Sequence, residues 1–303
     1  MKDKPKVWLN GKIIPWEDAK VPILSHGFSR GSAVFEVFGT HMVHGGVAAF
    51  RMDAHLKRLE RTVGFLGMEL GFSIPEIIKA VSELASINKS ERGVVKLMAY
   101  WGEEAIIDLV LQSKLDVAIF TIPNSKELGL DGLKPMSACL SKWKKLHPET
   151  IPVQAKACAN YLNGYLVRKD ANDRGFDLGL NVGTDGFLAE GSIESVFIVK
   201  DGILKTPPLG RILASVTRDS ILQAAKRNDI EVCEATLEKE DLYTADEMFT
   251  CHTGTKVTPI YRFEEKEMAA PGPVTTRVSE MMDTIMRSED SRFKDWFQIL
   301  YQS

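Results

Sequence analysis

Residues 153–162 read VQAKACANYL and place one lysine, Lys156, among small and neutral side chains. A surface lysine usually has polar neighbours, whereas apolar neighbours can desolvate the amine, lower its pKa and leave it free to act as a nucleophile. A Schiff-base lysine needs an environment of that kind. On this stretch alone, a lysine in a short loop between a strand and a helix is the more ordinary interpretation.

A second candidate is Glu190, in the stretch FLAEGS at residues 187–192. Its carboxylate lies between an apolar run and a glycine, directly before a predicted strand. Taken alone, this position is better explained as a turn residue, so Glu190 gains a functional interpretation only together with other motifs.

The composition predicts a globular protein of roughly two domains, since the chain has 303 residues and domains average about 150. Hydrophobic residues make up 44% and charged residues 26%, which excludes a disordered or collagen-like chain. The net charge of −3 argues against a nucleic-acid partner, and we interpret the basic cluster at residues 142–145 as a solvated loop. The sequence has no apolar run long enough to span a membrane and its N-terminus is polar, so we expect no membrane partner and a cytoplasmic location.

The cysteines, histidines and glycines form no familiar site motif. The four cysteines contain no CxxC pair, and we interpret them as small buried residues. The six histidines show no zinc spacing, so no metal site is predicted. The glycine-rich motifs of dinucleotide sites, of P-loops and of α/β-hydrolase nucleophiles are missing.

Turn signals and apolar periodicity predict an α+β chain with largely antiparallel or mixed sheets. Asn10-Gly11 predicts a hairpin at residues 7–14. Ser73 and Glu76 predict a capping box that opens a helix. Further strands are predicted at residues 31–39, 47–50, 93–100, 108–122, 178–181, 196–199 and 247–251. Further helices are predicted from residue 52, within 151–169, and at 217–228 and 274–286. The tail to residue 303 is predicted to dock as another helix. The polar segment at residues 123–135 predicts a linker between a small domain, residues 1–122, and a large one, residues 136–303.

Taken together, a series of motifs resembles the fold-type IV pyridoxal-phosphate enzymes, which include branched-chain amino acid aminotransferases, D-amino acid aminotransferases and aminodeoxychorismate lyases. The motifs are VFE (34–36), HLKRL (55–59), KACANYL (156–162), LAEGS (188–192), VFIVKDG (196–202), TPP (206–208), VTRD (216–219), ADEMF (245–249) and VTPI (257–260). No single motif is specific for this family, but their joint order between about residues 7 and 300 is specific for it. The resemblance implies a two-domain α+β fold with the cofactor in the interdomain cleft.

The resemblance also implies a role for each residue of a pyridoxal 5′-phosphate site. Lys156 would form the Schiff base with the cofactor and then act as acid and base in the proton shift. Glu190 would pair with the pyridine nitrogen, and Tyr161 would hydrogen-bond the phenolic oxygen. The other implied contacts are those of Arg58, Val216, Thr217 and Thr253 with the phosphate and of Leu213 with the ring face.

Substrate binding is implied for Phe35, Val37 and Lys96, and for the backbone around Thr253 and Gly254, which would face the α-carboxylate. The apolar side chains would line a pocket for the substrate side chain. We therefore expect an aminotransferase that moves an amino group between an L-amino acid, of branched-chain type, and a 2-oxo acid by ping-pong chemistry.

The sequence departs from the family pattern at several positions. Bacterial branched-chain enzymes carry arginines where this chain has Gly39 and Lys96, and a lysine lacks the bidentate fork of arginine. Ser215 replaces the usual glycine before VTRD, and His252 lies beside Thr253. How a second substrate carboxylate is recognised is therefore left open.

Three alternatives stay open at the level of sequence. They are a lyase of the aminodeoxychorismate type, a D-amino acid aminotransferase, and a cofactor-binding protein without turnover. Members of the family are usually homodimers, so the resemblance implies a homodimer or a higher homo-oligomer.

Overall fold

The computed structural model describes residues 5–125, 128, 130 and 134–302. The chain divides into two compact units. Unit 1 contains the described residues up to Leu128, the short segment Ala155–Ala159 and the described residues from Met286 onward, and unit 2 contains the rest. The segment that carries Lys156 therefore belongs to unit 1, although the residues on both sides of it belong to unit 2.

Part of the predicted linker, residues 126, 127, 129 and 131–133, lies outside the described residues. The division into domains at this linker, and the location of a cofactor in a cleft, stay predictions. Among the described residues, no helix has the length and apolarity that a bilayer span requires.

Both units contain strands and helices, which are numbered here along the chain. The strands are β1 (Val7–Leu9), β2 (Lys12–Ile14), β3 (Val34–Val43), β4 (Gly46–Phe50), β5 (Gly93–Tyr100), β6 (Asp116–Pro123), β7 (Met136–Leu140), β8 (Leu178–Val182), β9 (Leu188–Gly191), β10 (Ser195–Lys200), β11 (Ile203–Thr206), β12 (Val232–Glu234), β13 (Glu247–Cys251), β14 (Thr258–Phe263), β15 (Lys266–Glu267) and β16 (Phe297–Tyr301). The helices are α1 (His26–Ser29), α2 (Met52–Phe65), α3 (Ile74–Ile87), α4 (Tyr161–Asp173), α5 (Val216–Lys226), α6 (Lys239–Thr244) and α7 (Pro273–Met286).

Unit 1 is built on an antiparallel sheet in the order β16-β4-β3-β5-β6-β1-β2. Helices α2 and α3 pack their apolar faces on one side of it, where Leu56, Leu59 and Ile77 are fully buried. Because strand side chains alternate between faces, Val34, Glu36 and Phe38 point toward these helices, whereas Phe35 and Val37 point to the opposite side. This alternation decides which side chains of β3 can meet α2.

Unit 2 contains a mixed sheet in the order β12-β11-β10-β13-β14-β7-β8-β9, with β15 beside β14. The pairs β11·β12, β14·β7 and β7·β8 are parallel, and the others are antiparallel. Its buried core includes Leu178, Leu180, Val196 and Ile198. The predicted α+β class, with antiparallel or mixed sheets, is confirmed.

Most of the predicted elements are confirmed within one to four residues. The hairpin turns at Asn10 and Gly11, both with positive φ, and the capping box of Ser73 with Glu76 opens α3. The structure places a second hairpin turn at Asp201-Gly202, again with positive φ at both residues.

Two segments were predicted wrongly. The predicted strand at residues 108–122 begins only at Asp116, because its partner β5 ends at Tyr100, which pairs with Asp116. The residues before it have no strand partner in the sheet, and Leu109 and Val110 are exposed. The C-terminal tail forms a 3-10 turn, Ser291–Trp296, and then strand β16 on the edge of β4 instead of a helix.

The cysteines fit their prediction only in part. Cys139 and Cys251 are buried and Cys158 is half-buried, whereas Cys233 is exposed on the short edge strand β12.

Candidate active site

The backbone of Lys156 is held on two sides within unit 1. Its N–H donates to Thr62 Oγ1 of α2 at 3.1 Å, and its carbonyl accepts from the N–H of Phe35 at 3.1 Å. The N–H of Cys158 donates to the Ala33 carbonyl at 2.8 Å, and Ala157 pairs with Val34 in an antiparallel bridge. The point from which the Lys156 side chain extends is therefore fixed by both a strand and a helix.

The Lys156 amine lies against an aromatic ring. Its Nζ is 4.6 Å from the centroid of the Phe35 ring, and Lys96 Nζ is 5.6 Å from the same centroid. A ring face attracts cations. The neighbours Ala155 and Ala157 are buried, so the small neutral residues noted in the sequence do enclose this segment.

Arg58 lies in a buried group with Glu36 and His55, which we call the Arg58 triad. Nε and Nη2 of Arg58 donate to the two oxygens of Glu36, each at 2.7 Å. His55 Nδ1 is 2.8 Å from Glu36 Oε2, and all three residues are at most 4% exposed. Glu36 comes from β3 and the other two from α2, where positions 55, 58 and 62 share a face at helical spacing.

Burial and neighbouring charges shift two groups of the triad. Burial alone would raise the pKa of Glu36, but the Arg58 charge and the hydrogen bonds from Arg58 and His55 outweigh it and lower the pKa to about 2. Burial lowers the pKa of His55. The charges of Arg58 and Lys156 also lower it, whereas the hydrogen bond and the charge of Glu36 raise it. The lowered pKa favours the neutral form of His55, and in that form an Nδ1–H suits the contact with Glu36, because an ionised carboxylate only accepts.

Sequence reasoning gave Arg58 a role and missed the other two members of the triad. The available signal was the alternation of β3, which puts a carboxylate between the apolar Val34 and Phe38 on the face turned toward the helices. A charged residue at such a position requires a partner. His55 and Arg58, three residues apart on one helix, are the partners it finds.

In unit 2, Glu190 lies on β9 and is 8% exposed. Its Oε1 accepts from Lys145 Nζ and its Oε2 accepts from the N–H of Leu213 at 3.2 Å. The N–H of Glu190 donates to Asn181 Oδ1 at 3.4 Å. A turn residue would not be fixed in this way, so Glu190 is a buried and oriented carboxylate.

The partner of Glu190 corrects an interpretation of the sequence. The cluster at residues 142–145 was expected to be a solvated loop, and Lys142 and Lys144 are indeed exposed. The Lys145 side chain is only 10% exposed, because its ammonium pairs with the buried Glu190.

The N-terminus of α5 contains two predicted phosphate ligands, Val216 and Thr217. Ser215 is the N-cap, and its Oγ accepts from the N–H of Arg218 at 3.2 Å. The serine that replaces the family's glycine thus caps the third residue of the helix. The N–H groups of Val216 and Thr217 belong to the first turn, where the helix dipole favours an anion.

The remaining predicted residues of unit 2 lie at the start of α4 and after β13. Tyr161 is the first residue of α4 and is half-buried. In the turn after β13, the N–H of Gly254 donates to His252 Nδ1 at 3.0 Å, and the N–H of His252 donates to the Thr255 carbonyl at 2.9 Å. His252 therefore takes up a backbone donor that the sequence analysis had assigned to the substrate carboxylate.

The structure groups the predicted residues by unit. Unit 1 contains Phe35, Val37, Arg58, Lys96 and Lys156. The amines of Lys96 and Lys156 lie near the Phe35 ring and Val37 pairs with Lys96 across β3 and β5, whereas Arg58 lies on the helix side of β3. Unit 2 contains Tyr161, Glu190, Leu213, Val216, Thr217, Thr253 and Gly254. Unit 1 thus supplies an amine and a buried guanidinium, and unit 2 supplies a buried carboxylate and a helix N-terminus.

Comparison with known proteins identifies the family. The model of the class IV amino-transferases matches residues 33–263. The branched-chain-amino-acid aminotransferase of Escherichia coli (strain K12) is 32% identical over 301 residues, which cover 98% of this chain and 97% of that protein. The structure of the branched-chain aminotransferase of Thermoproteus uzoniensis with norvaline has a TM-score of 0.93 and 31% identity, covering 98% of this chain and all of the other. A branched-chain amino acid aminotransferase of Escherichia coli, solved as a crystal structure, also has a TM-score of 0.93 and 31% identity, covering 98% of this chain and 100% of the other.

These matches span both units and nearly the whole length of the relatives. They confirm the resemblance to the fold-type IV enzymes and the expectation of an aminotransferase. The Lys156 segment, the Arg58 triad and the buried Glu190 are therefore features of an enzyme fold, and the chain belongs to the class IV aminotransferase family.

Proposed function

We propose that this aminotransferase moves an amino group between a branched-chain L-amino acid and a 2-oxo acid, with pyridoxal 5′-phosphate as its cofactor. The observation that carries the proposal is the Lys156 amine, whose backbone is fixed by Thr62 and Phe35 and which lies 4.6 Å from the Phe35 ring. A reactive amine must be held in place to attack and to transfer protons repeatedly at the same atoms.

Pyridoxal phosphate, when bound, supplies an aldehyde for a lysine amine and a ring that accepts electrons from the substrate Cα. In this proposal Lys156 would hold the cofactor through its aldehyde and would later move a proton on and off the substrate Cα. Glu190 would keep the pyridine nitrogen protonated, and Tyr161 would donate to the phenolic oxygen. The Glu190 carboxylate supports this part of the proposal because it is buried and held by hydrogen bonds from Lys145 and the Leu213 N–H, and each of its oxygens has a second lone pair that can accept from a ring N–H.

The cofactor phosphate is assigned to cationic and N–H groups. Arg58 offers a guanidinium, the first turn of α5 offers the N–H groups of Val216 and Thr217, and Thr253 offers a hydroxyl. Leu213 would pack against the face of the cofactor ring, and its own N–H donates to Glu190 Oε2 at 3.2 Å. A similar branched-chain amino acid aminotransferase, solved with pyridoxamine 5′-phosphate, supports a cofactor of this type.

An apolar substrate fits the residues near Lys156. Phe35 and Val37 lie on the same face of β3, and Lys96 is paired with Val37 in the neighbouring strand. Two relatives were solved with norvaline and with 4-methylvaleric acid, both with apolar side chains. With Gly39 and Lys96 in place of arginines, we expect a weaker preference for acceptors with a second carboxylate.

A small-molecule amino acid and a 2-oxo acid are the partners we propose, with a homodimer as the assembly. A cytoplasmic location and the lack of a nucleic-acid partner stay predictions from the sequence.

Absorbance spectra of the purified holoenzyme, before and after the addition of single amino acids, test the proposal. L-leucine or L-valine is expected to convert the band of the lysine-bound cofactor into that of pyridoxamine phosphate, and Lys156→Ala is expected to abolish both the band and turnover. Lys142→Ala removes an exposed lysine and serves as the matched control. A response to D-amino acids or aminodeoxychorismate alone would move the enzyme to another branch of the family, and turnover by Lys156→Ala would overturn the role of Lys156.

A further inference from the structure

We infer that Glu36 is a positioning residue, whose carboxylate holds the Arg58 guanidinium in the orientation in which Arg58 binds a phosphate. The inference rests on the proposed function, in which Arg58 binds the phosphate of the cofactor. Glu36 itself acts only through Arg58.

The geometry of the Arg58 triad fixes the plane of the guanidinium. Nε and Nη2 donate to separate carboxylate oxygens at 2.7 Å each, which is a bidentate pairing with one orientation. A guanidinium has five N–H donors, and this pairing engages one edge of it. A flexible arginine on a surface helix would have to lose rotamer freedom when it binds an anion, whereas this one is already ordered.

Glu36 is itself held by the fold. It is the third residue of β3, where it pairs with Leu97 of β5, and it is completely buried. His55 is 2.8 Å from Glu36 Oε2, so both carboxylate oxygens have partners from α2. The orientation of Arg58 is thus set by the sheet and not only by the helix that carries it.

The charge of Glu36 matters as much as its position. Arg58 is 4% exposed. Without an adjacent carboxylate, a guanidinium as buried as this one would be strongly disfavoured. A neutral isostere at position 36 keeps the shape of the side chain and removes this compensation.

The test compares two probes, pyridoxal 5′-phosphate and pyridoxal, which lacks the phosphate. Each is titrated into the apo-protein, and the ratio of the two dissociation constants gives the preference for the phosphate. We expect Arg58→Leu to reduce this ratio by about a hundredfold and Glu36→Gln by about tenfold, with the dissociation constant of pyridoxal nearly unchanged in both. In the double variant Glu36→Gln/Arg58→Leu, the ratio should fall no further than in Arg58→Leu alone.

Ser73→Ala is the matched control, because it breaks the capping box of α3 in the same unit and lowers stability away from Lys156. Its ratio should equal that of the wild type. If Glu36→Gln does not fold, Glu36→Asp, which withdraws the carboxylate by one methylene, should reduce the ratio by about threefold.

Three results would count against specific parts of the assignment. A wild type that forms no lysine-bound cofactor band would overturn the proposed function. An unchanged ratio in Arg58→Leu would remove Arg58 from the phosphate and the inference with it. A reduced ratio in Arg58→Leu with an unchanged ratio in the folded Glu36 variant would show that Glu36 is an ion-pair partner without a positioning role.

Discussion

Protonation governs the buried residues around Arg58. His55 is 2% exposed and faces Glu36, Arg58 and the charge of Lys156. Its pKa is lowered in the folded state, so as the pH falls below the ordinary value of 6.5 the unfolded chain takes up a proton that the folded chain refuses. The pKa of Glu36 is lowered from 4.5 to about 2, so below pH 4.5 the unfolded chain again takes up a proton that the folded chain does not.

We therefore predict that acid weakens the fold in two stages. Above pH 6.5 these two groups leave the free energy of unfolding at its full value. Below pH 6.5 the protonation of His55 in the unfolded chain lowers it by up to about 1.4 kcal/mol per pH unit, and a second loss through Glu36 begins below pH 4.5. Urea unfolding at several pH values measures both stages. His55→Gln should be less stable than the wild type at neutral pH but should lose less stability between neutral and mildly acidic pH. An equal slope in both proteins would mean that His55 titrates normally in the folded state.

At the level of single residues, the reactive side chains were easier to predict from the sequence than the residues that hold them in place. The small neighbours of Lys156 were visible because they are adjacent in the chain. Lys145 was interpreted as solvated because nothing local reveals a partner 45 residues away. The alternation of β3 indicates that Glu36 needs a partner, but only the packing of α2 on β3 identifies His55 and Arg58 as its partners.

At the level of elements, the sequence was sufficient to predict a strand or helix where a turn or a capping motif fixes one of its ends. The turn at Asn10-Gly11 and the capping box at Ser73 are such signals, and both are confirmed. The strand predicted at residues 108–122 failed because its true start is set by the end of its partner β5. Apolar content alone does not reveal where a partner strand ends.

Two helical glycines allow a prediction at this scale. A Cβ at Gly64 of α2 would have no heavy atom within 4 Å, whereas a Cβ at Gly164 of α4 would lie 2.1 Å from the Ser192 carbonyl oxygen. Gly64→Ala should therefore stabilise the protein by about 1 kcal/mol, through the higher helix propensity of alanine. Gly164→Ala should destabilise it by about 2 kcal/mol, because the backbone must move.

Thermal and urea unfolding of both glycine variants measure the difference. Each variant is the control for the other, since the exchange is identical and only the surroundings differ. The same sign of change in both would contradict the packing of α4 against the Ser192 backbone.

At the level of the whole molecule, unit 1 leaves several large apolar side chains of two joined segments exposed. Residues 106–110 include Ile106 and Ile107, which are 75% and 83% exposed. Residues 21–28 include Ile23 and Phe28, at 77% and 68%. The two segments are joined, since the N–H of Ala105 donates to the Leu24 carbonyl at 3.1 Å and a β-bridge links residues 25 and 104. Contiguous apolar surface of this kind usually marks an interface.

We predict that a second copy of the chain covers this surface in the proposed homodimer. Ile107→Asp would place a charge where apolar contact is required, so the dimer dissociation constant should rise by at least about tenfold. Ile87→Asp, at the exposed end of α3 and away from both segments, is the matched control and should leave it unchanged. Sedimentation velocity across a dilution series, with circular dichroism to verify folding, provides the measurement. Equal dissociation constants for Ile107→Asp and the wild type would place the interface elsewhere and leave these loops without a partner in the homodimer.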